Sequence, residues 1–232
     1  MVQAFPDSQI LYPDSDGKPM ADNTMQYRWI VRLVGNLKCL LNDQTAFVAG
    51  DLLWYPVPVD QGSVPAQAPD VMVVLGRPDG DRGSYQQWKE ANIPPQVVFE
   101  IISPSNTVAE MADKQTFYQQ YGVMEMYFYD PKSYNFWGLV RDSQAQNCSL
   151  ITALNMPWTS PLLQIRFELF DDGLAVFYPD GQPFKDFEEL AATLEQTQSA
   201  LTQTQSALTQ AQSERERAFA KLRELGIDPT TL

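Results

Sequence analysis

The stretch QVVFEIISPSN, residues 96–106, contains the pattern that decides the fold. Its apolar run is typical of a strand buried on both faces of a sheet, so residues 97–102 are predicted to form such a strand. Glu100 lies inside that run, where an ionised carboxylate is costly to bury unless something pairs with it. The stretch therefore predicts a buried strand and a binding partner for Glu100.

Periodic segments on both sides of this strand indicate a mixed α/β domain. Residues from about 24 to 41 repeat apolar side chains at helical spacing, and Asp22 or Asn23 is placed to cap that helix. Residues 107–121 are predicted to be helical and to end at Gly122. Further strands are predicted at 46–48, 52–55, 71–75, 125–129, 136–141, 149–152 and 174–178. Strand, helix and strand in the middle of the series predict that the domain is mixed α/β.

The C-terminal region differs from the rest of the chain because it is repetitive. QTQSALT occurs at 196–202 and again at 203–209. Two apolar positions recur every seven residues, and the weaker one holds mostly Thr and Ala. The stronger one is interrupted by Arg215 and is otherwise occupied by Phe187, Leu194, Leu201, Leu208 and Leu222. This period predicts a coiled coil that forms a homodimer or higher homo-oligomer, the alternative being a single solvated helix.

The chain is therefore predicted to divide into three regions. Residues 1–20 are rich in Pro, Asp and Ser and are expected to form an irregular arm, residues 21–185 the α/β domain, and residues 186–232 the helical tail. No apolar run approaches the roughly 20 residues of a membrane helix, and the start lacks the pattern of a signal peptide. We therefore expect a cytoplasmic protein without a membrane segment.

The residue types that are absent exclude several kinds of chemistry. The chain has no histidine and only two cysteines, Cys39 and Cys148, which we expect to be core residues. Nucleophilic triads that need histidine and the usual zinc sites are therefore excluded. A metal would have to be held by oxygen ligands, which favours magnesium, manganese or calcium.

Two carboxylates and a lysine form the candidate catalytic group. Asp70 opens the predicted strand 71–75, Glu100 lies inside its own strand, and Lys114 lies on the following helix. Two carboxylates on neighbouring strands can converge on a divalent cation, and an ammonium can stabilise developing negative charge. The plainer alternatives are that Asp70 only starts its strand and that Lys114 is a surface residue paired with Glu110.

The order of these residues resembles the Uma-type restriction-endonuclease family of the PD-(D/E)XK nuclease superfamily. The stretches that carry the resemblance are Ala-Pro before Asp70, FEIISPSN at 99–106, KQTFYQQYGV at 114–123 and MEMYFYDP at 124–131. The resemblance implies a restriction-endonuclease-like fold, with a central mixed sheet flanked by helices, and a DNA substrate. It also implies a Mg²⁺ or Mn²⁺ site in which Asp70 and Glu100 bind the metal.

The chain departs from the superfamily pattern at its lysine. The position two residues after Glu100 is Ile102, which cannot act as a lysine. In the Uma-type pattern the lysine is displaced onto the following helix, and Lys114 fits that displaced position. A long flexible side chain can reach the same point from a neighbouring helix.

The segment GRPDGDRGSYQQW, residues 76–88, is predicted to be a charged loop. Arg77, Arg82 and Lys89 concentrate positive charge there and are candidates for binding substrate phosphates, the alternative being an ordinary solvated loop.

The net charge of −13 sets the main alternative function. An acidic chain repels phosphate backbones, which favours a non-catalytic assembly or regulatory protein that uses the same fold and self-associates through its tail. A further alternative is an enzyme that applies the same carboxylates to another phosphorylated substrate. The residues favour metal-dependent phosphodiester hydrolysis, and with the resemblance they imply a magnesium-dependent endodeoxyribonuclease.

Overall fold

The structure, a computed structural model, describes residues 12–15, 17, 19–59 and 64–225. The chain forms two compact units, the first ending at Phe184 and the second beginning at Lys185. The described part of the predicted N-terminal arm has neither helix nor strand, and its other residues lie outside the description.

The described residues contain three α-helices and eleven strands, besides two short 3₁₀ helices. The helices are α1 (Thr24–Leu40), α2 (Val108–Tyr121) and α3 (Phe187–Glu224). The strands are β1 (Ala46–Gly50), β2 (Trp54–Tyr55), β3 (Val71–Leu75), β4 (Tyr85–Gln86), β5 (Val97–Ile101), β6 (Glu125–Asp130), β7 (Asn135–Val140), β8 (Ser149–Ile151), β9 (Trp158–Thr159), β10 (Arg166–Phe170) and β11 (Gly173–Phe177).

A six-stranded mixed sheet forms the centre of the first unit, with the strand order β1-β3-β5-β6-β7-β8. The pair β5–β6 is parallel, and the other neighbouring pairs are antiparallel. Parallel neighbours need a crossover connection, and α2 lies in the segment that joins these two strands. The predicted mixed α/β fold with a central sheet is confirmed.

The sheet is covered on both faces, and alternate residues of β5 point to opposite sides. Val97, Phe99 and Ile101 pack in the core that includes Ile30, Leu33 and Leu37 of α1 and strands β10 and β11. Val98 packs in the other core, with Tyr118 of α2, Trp54 and Tyr85. Because side chains alternate along a strand, Glu100 points toward the α2 side.

Side-chain caps determine where both helices of the first unit begin. The Asn23 side chain accepts hydrogen bonds from the N–H groups of Met25 and Gln26, so Asn23 rather than Asp22 caps α1. The alternative that Asp22 is the cap is wrong, because its carboxylate accepts hydrogen bonds from Ser103 and Ser105. Thr107 caps α2, and Gly122 ends it with a left-handed φ of 101°.

Three strands lie outside the sequence prediction, namely β4, β9 and β10. Two of them have only two residues, and β4 falls in the segment predicted to be a loop. The prediction that both cysteines are core residues is wrong. Cys39 is exposed on α1 and Cys148 is only partly buried, which is consistent with a thiol being tolerated in either setting.

A second buried carboxylate, Glu125 on β6, holds the segment around β9 against the sheet. Its Oε1 accepts the N–H of Leu162 at 2.7 Å, and its Oε2 accepts the hydroxyls of Tyr127 at 2.9 Å and of Ser160. Burial raises the pKa of the Glu125 carboxyl, and these three hydrogen bonds oppose that increase. The network is structural, since it lies outside the cleft described below.

We expect Glu125→Ala to lower the free energy of unfolding by about 3 kcal/mol, because it leaves three donors without their acceptor. Urea unfolding followed by tryptophan fluorescence measures this change. The exposed Asp142→Ala is the control and should stay within about 0.5 kcal/mol of the wild type. Equal losses in the two variants would contradict the structural role of Glu125.

Candidate active site

Asp70 lies immediately before β3 and is fixed to the neighbouring strand β5. Its Oδ2 accepts the backbone N–H of Ile101 at 2.6 Å and the side-chain amide of Gln26 at 3.4 Å. Val71 pairs with Phe99 in the antiparallel register, so Asp70 is placed across from Glu100. Cross-strand neighbours lie about 5 Å apart and point to the same face, which brings the two carboxylates together.

Glu100 is 2% exposed and has partners for both of its carboxylate oxygens. Lys114 Nζ lies 2.7 Å from Oε2, and the hydroxyl of Tyr118 donates to Oε1. Lys114 and Tyr118 are four residues apart, so both project from the same face of α2. The binding partners predicted for Glu100 are therefore two side chains on one face of α2, and they pair with it whether or not a metal also binds.

Lys114 is held as an ammonium. Burial lowers the pKa of Lys114, but the attraction of Glu100 and Asp70 and the hydrogen bond to Glu100 outweigh it, so the pKa lies above its ordinary value. The Nζ atom also lies 3.5 Å from the carbonyl oxygen of Ala68. A lysine that remains charged at neutral pH can stabilise negative charge, but it is not a general base there.

The surroundings favour the charged form of Lys114, but they favour the neutral form of Asp70. Burial, followed by repulsion from Glu100, raises the pKa of Asp70 to about 7, although Lys114 and the hydrogen bonds from Ile101 and Gln26 act against the increase. Without a bound metal ion, the site therefore holds the Glu100–Lys114 ion pair, and Asp70 beside it keeps its proton below neutral pH. Such a group is a functional-site candidate when it also lies in a cleft.

Asp70 and Lys114 line a cleft of about 350 Å³. The wall of the cleft comes from the N-terminus of α1, the segments before β3 and after β1, and the start of α2. Its other polar side chains are Asp22, Gln26, Asp51, Gln67, Ser105, Asn106 and Glu110. Asp70 thus opens onto a polar space large enough for a phosphate group and its water shell, while Glu100 lies buried behind it.

The donor set fits a hard divalent cation that completes its shell with water and substrate oxygens. Asp70 Oδ1 accepts no hydrogen bond from the described residues and belongs to the cleft wall. No group of three or more His, Cys, Asp or Glu side chains suited to a metal occurs in the part of the chain that is described. Magnesium sites commonly use one or two carboxylates with waters and phosphate oxygens, so Asp70 and Glu100 would suffice.

The structure brings together three of the predicted site residues and separates the other three from them. Arg77 and Arg82 both form 2.8 Å ion pairs with Glu90, beyond the far end of β3. β3 has five residues and is roughly 16 Å long, and it lies between Asp70 and Arg77 in the chain. Lys89 is exposed in a short 3₁₀ helix. Phosphate binding by these three residues stays a prediction.

Tyr118 is the functional candidate that the sequence analysis missed. It is fully buried, its phenol donates to Glu100, and burial followed by the Glu100 charge raises its pKa well above the ordinary value. The signal was available, because Tyr118 follows Lys114 by one helical turn and so shares its face. Gln26, on α1, binds Asp70 and also donates to the carbonyl oxygen of Ile101 at 3.0 Å.

The first unit thus combines a central mixed sheet with two carboxylates from adjacent strands and a lysine on the helix that follows. The family Uma2, described as "Putative restriction endonuclease", matches residues 16–176. Because this match covers more than half of the chain, the protein belongs to the Uma2 family.

Comparison with solved structures gives a distant match. A crystal structure described as a "putative nuclease belonging to DUF820" from Anabaena variabilis is 13% identical in sequence, with a TM-score of 0.44. The match covers 63% of this chain and 77% of that one. No curated protein matches the chain.

No helix among the described residues is long and apolar enough to cross a membrane.

We expect Lys114→Ala to lower the free energy of unfolding by about 3–5 kcal/mol, because Glu100 then remains buried without its cation. Adding Glu100→Gln in the same chain should recover a large part of that loss, since the unpaired charge is removed. Chemical denaturation of the two single variants and the double variant measures the coupling. Lys132→Ala, an exposed lysine, is the control. Additive losses in the double variant would contradict a buried ion pair.

Asp70 should make the metal-free protein less stable as pH rises. Its pKa of about 7 in the folded chain exceeds the ordinary 3.8, so the folded state binds more protons between these values. The resulting stabilisation is complete below about pH 4 and is lost as pH rises through 7. Asp70→Asn keeps an oxygen acceptor for Ile101 and removes this loss.

The stability difference between Asp70→Asn and wild type, measured in chelator by urea unfolding, should therefore increase in favour of the variant from about pH 4 to about pH 7 and then level off. Asp142→Asn serves as the surface control. A difference that does not change with pH would show that Asp70 titrates in the folded chain as it does in the unfolded one.

Proposed function

We propose that this protein is a metal-dependent endonuclease that hydrolyses phosphodiester bonds in DNA. In this proposal Asp70 and Glu100 hold Mg²⁺ or Mn²⁺, and Lys114 acts beside them. The observation that carries the proposal is the buried pairing of Glu100 with Lys114, 2.7 Å apart, directly across from Asp70 at the wall of a polar cleft. Membership of the Uma2 family supports the nuclease class.

Each of the chain's own groups has a distinct role in the proposed hydrolysis. Lys114, kept as an ammonium, stabilises negative charge that develops on the phosphate or on the attacking oxygen. Tyr118 and Lys114 hold Glu100 in one orientation, and Ile101 and Gln26 do the same for Asp70. A bound divalent cation would neutralise phosphate charge and lower the pKa of its water.

The geometry also restricts which group can act as the base. Lys114 is charged, and the chain has no histidine. Proton removal from the attacking water would therefore fall to a carboxylate of the cleft or to solvent through the metal-bound water. Ser103 and Ser105 both donate to Asp22, whose side chain lines the cleft.

We expect Glu100→Gln and Lys114→Met to reduce cleavage of supercoiled plasmid in Mg²⁺ or Mn²⁺ by at least about 100-fold, the scale set by losing one stabilising group in an active site. The amide introduced by Glu100→Gln can still accept from Lys114 and can donate to the oxygen of Tyr118, so this variant should fold. Glu125→Gln is the matched control, a buried carboxylate outside the cleft, and it should keep the wild-type rate per folded chain.

Full activity in Glu100→Gln would show that the site is assigned wrongly. Linear DNA, RNA and nucleotide phosphodiesters run in parallel distinguish a DNA enzyme from one that acts on another phosphorylated substrate.

The net charge of −13 favours a second candidate, a non-catalytic assembly or regulatory protein on the same fold. In that case the wild type would bind no Mn²⁺ at Asp70 and Glu100 and would cleave none of these substrates. Glu100 and Lys114 would then form a purely structural ion pair. Metal binding without cleavage would instead point to a substrate outside the tested set.

A further inference from the structure

Helix α3 exposes an apolar seam that none of the described residues of its own unit buries. The helix has 38 residues, and none of them is buried. Leu201 is 64% exposed and Leu208 58%, and the same seam contains Phe187, Leu190 and Leu194. A solitary helix with a seven-residue apolar period is typical of one half of a coiled coil.

The middle of α3 depends on packing for its stability. Residues 196–213 carry no charge, so ion pairs one turn apart cannot support this part of the helix. Its threonines are weak helix formers. A long helix with these properties gains most of its stability from an amphipathic face that packs against a partner.

The weaker seam position is better suited to burial than its residue types suggest. Thr197 Oγ1 donates to the carbonyl oxygen of Thr193 at 2.8 Å, and Thr204 Oγ1 donates to that of Ala200 at 2.9 Å. Because these hydroxyls are satisfied within the helix, the seam threonines can be buried without an unpaired polar group. They behave there as small apolar residues.

We propose that the partner of α3 is the α3 helix of a second copy of this chain, packed antiparallel. When two such helices lie side by side along their whole length, the leucine-rich seam position of one helix meets the position of the other that holds mostly Thr and Ala. The resulting layers are Phe187 with Leu225, Leu190 with Leu222, Leu194 with Ala218, Thr197 with Arg215, Leu201 with Ala211 and Thr204 with Leu208. Large residues thus face small ones in the central layers, which is how helix cores fill space without gaps.

The parallel arrangement is less favourable at one specific layer. It would place Arg215 against the same arginine of the second copy, in the middle of the seam. Like charges that face each other in a coiled-coil core are costly, because both are partly desolvated. In the antiparallel arrangement Arg215 instead lies across from Thr197, two residues from Glu195.

The charges at the two ends of the helix also complement each other in the antiparallel arrangement. Residues 186–195 contain four acidic residues and no basic one, whereas residues 214–224 contain four basic and three acidic residues. Antiparallel packing brings each acidic end beside the end with a net charge of +1. Parallel packing would bring the two acidic ends together. Complementary end charges select orientation in coiled coils.

Disulfide trapping in the full chain tests the orientation. In a background with Cys39→Ser and Cys148→Ser, the double variant Leu201→Cys/Ala211→Cys should form a disulfide-linked dimer under mild oxidation. Either single variant alone should stay unlinked, because ten residues along a helix separate its two thiols by about 15 Å. An efficient disulfide dimer of Leu201→Cys alone would show parallel packing and would overturn the proposal.

Light scattering of the full chain tests the association itself. The wild type should have twice the chain mass, and Leu194→Gln/Leu201→Gln/Leu208→Gln should have the mass of one chain. The matched control Ala192→Gln/Ser199→Gln/Ser206→Gln carries the same number of substitutions on the outer face and should stay dimeric. A monomeric wild type, a larger assembly, or a dimer that survives the seam substitutions would each contradict the proposal.

Discussion

The ion pair between Glu100 and Lys114 is the interaction on which the candidate site depends. Glu100 lies in the central strand β5, where it is 2% exposed, and it needs a cation that the sheet itself does not supply. Lys114 reaches Glu100 from α2, so the helix must pack on this face of the sheet with Lys114 level with Glu100. The parallel pairing of β5 and β6 allows this, because its crossover places α2 over that face.

This arrangement has a cost in stability that an apolar core would not have. Well-packed apolar residues often stabilise a protein as much as a buried ion pair does, or more. Asp70 adds a second carboxyl beside the pair, and its raised pKa reports its burial and the resulting repulsion. Asp70, Glu100 and Lys114 are thus three ionisable side chains of low exposure held close together, which makes them a functional-site candidate. The second buried carboxylate, Glu125, differs in that its hydrogen-bond donors are neutral, namely two hydroxyls and one backbone N–H.

Much of the fold and the centre of the site could be predicted from the sequence. Strand β3 falls at the predicted residues, and β5 and α2 differ from prediction by a single residue each. Asp70, Glu100 and Lys114 were identifiable because their order on strand, strand and helix is local information. Short strands such as β9 and β4 were not, because two residues give no measurable period. Their pairing depends on neighbours that are distant in sequence.

The remaining differences have the same origin, since each depends on a partner that spacing alone does not reveal. Arg77 and Arg82 looked available for phosphate, but both converge on Glu90. Asp22 looked like a helix cap, but it binds two serines more than eighty residues away. Tyr118 is the exception, because its position one helical turn after Lys114 already indicated that it shares the face toward Glu100.

The central claim is that Asp70 and Glu100 form a metal site, and Mn²⁺ binding tests it most directly. Calorimetric titration of the full chain with Mn²⁺ should give one site per chain, with affinity reduced at least about tenfold in Asp70→Asn, because a charged ligand is lost. Asp142→Asn, at the surface, should bind as the wild type does. Equal affinity in wild type and Asp70→Asn, or no binding in either, would contradict the claim.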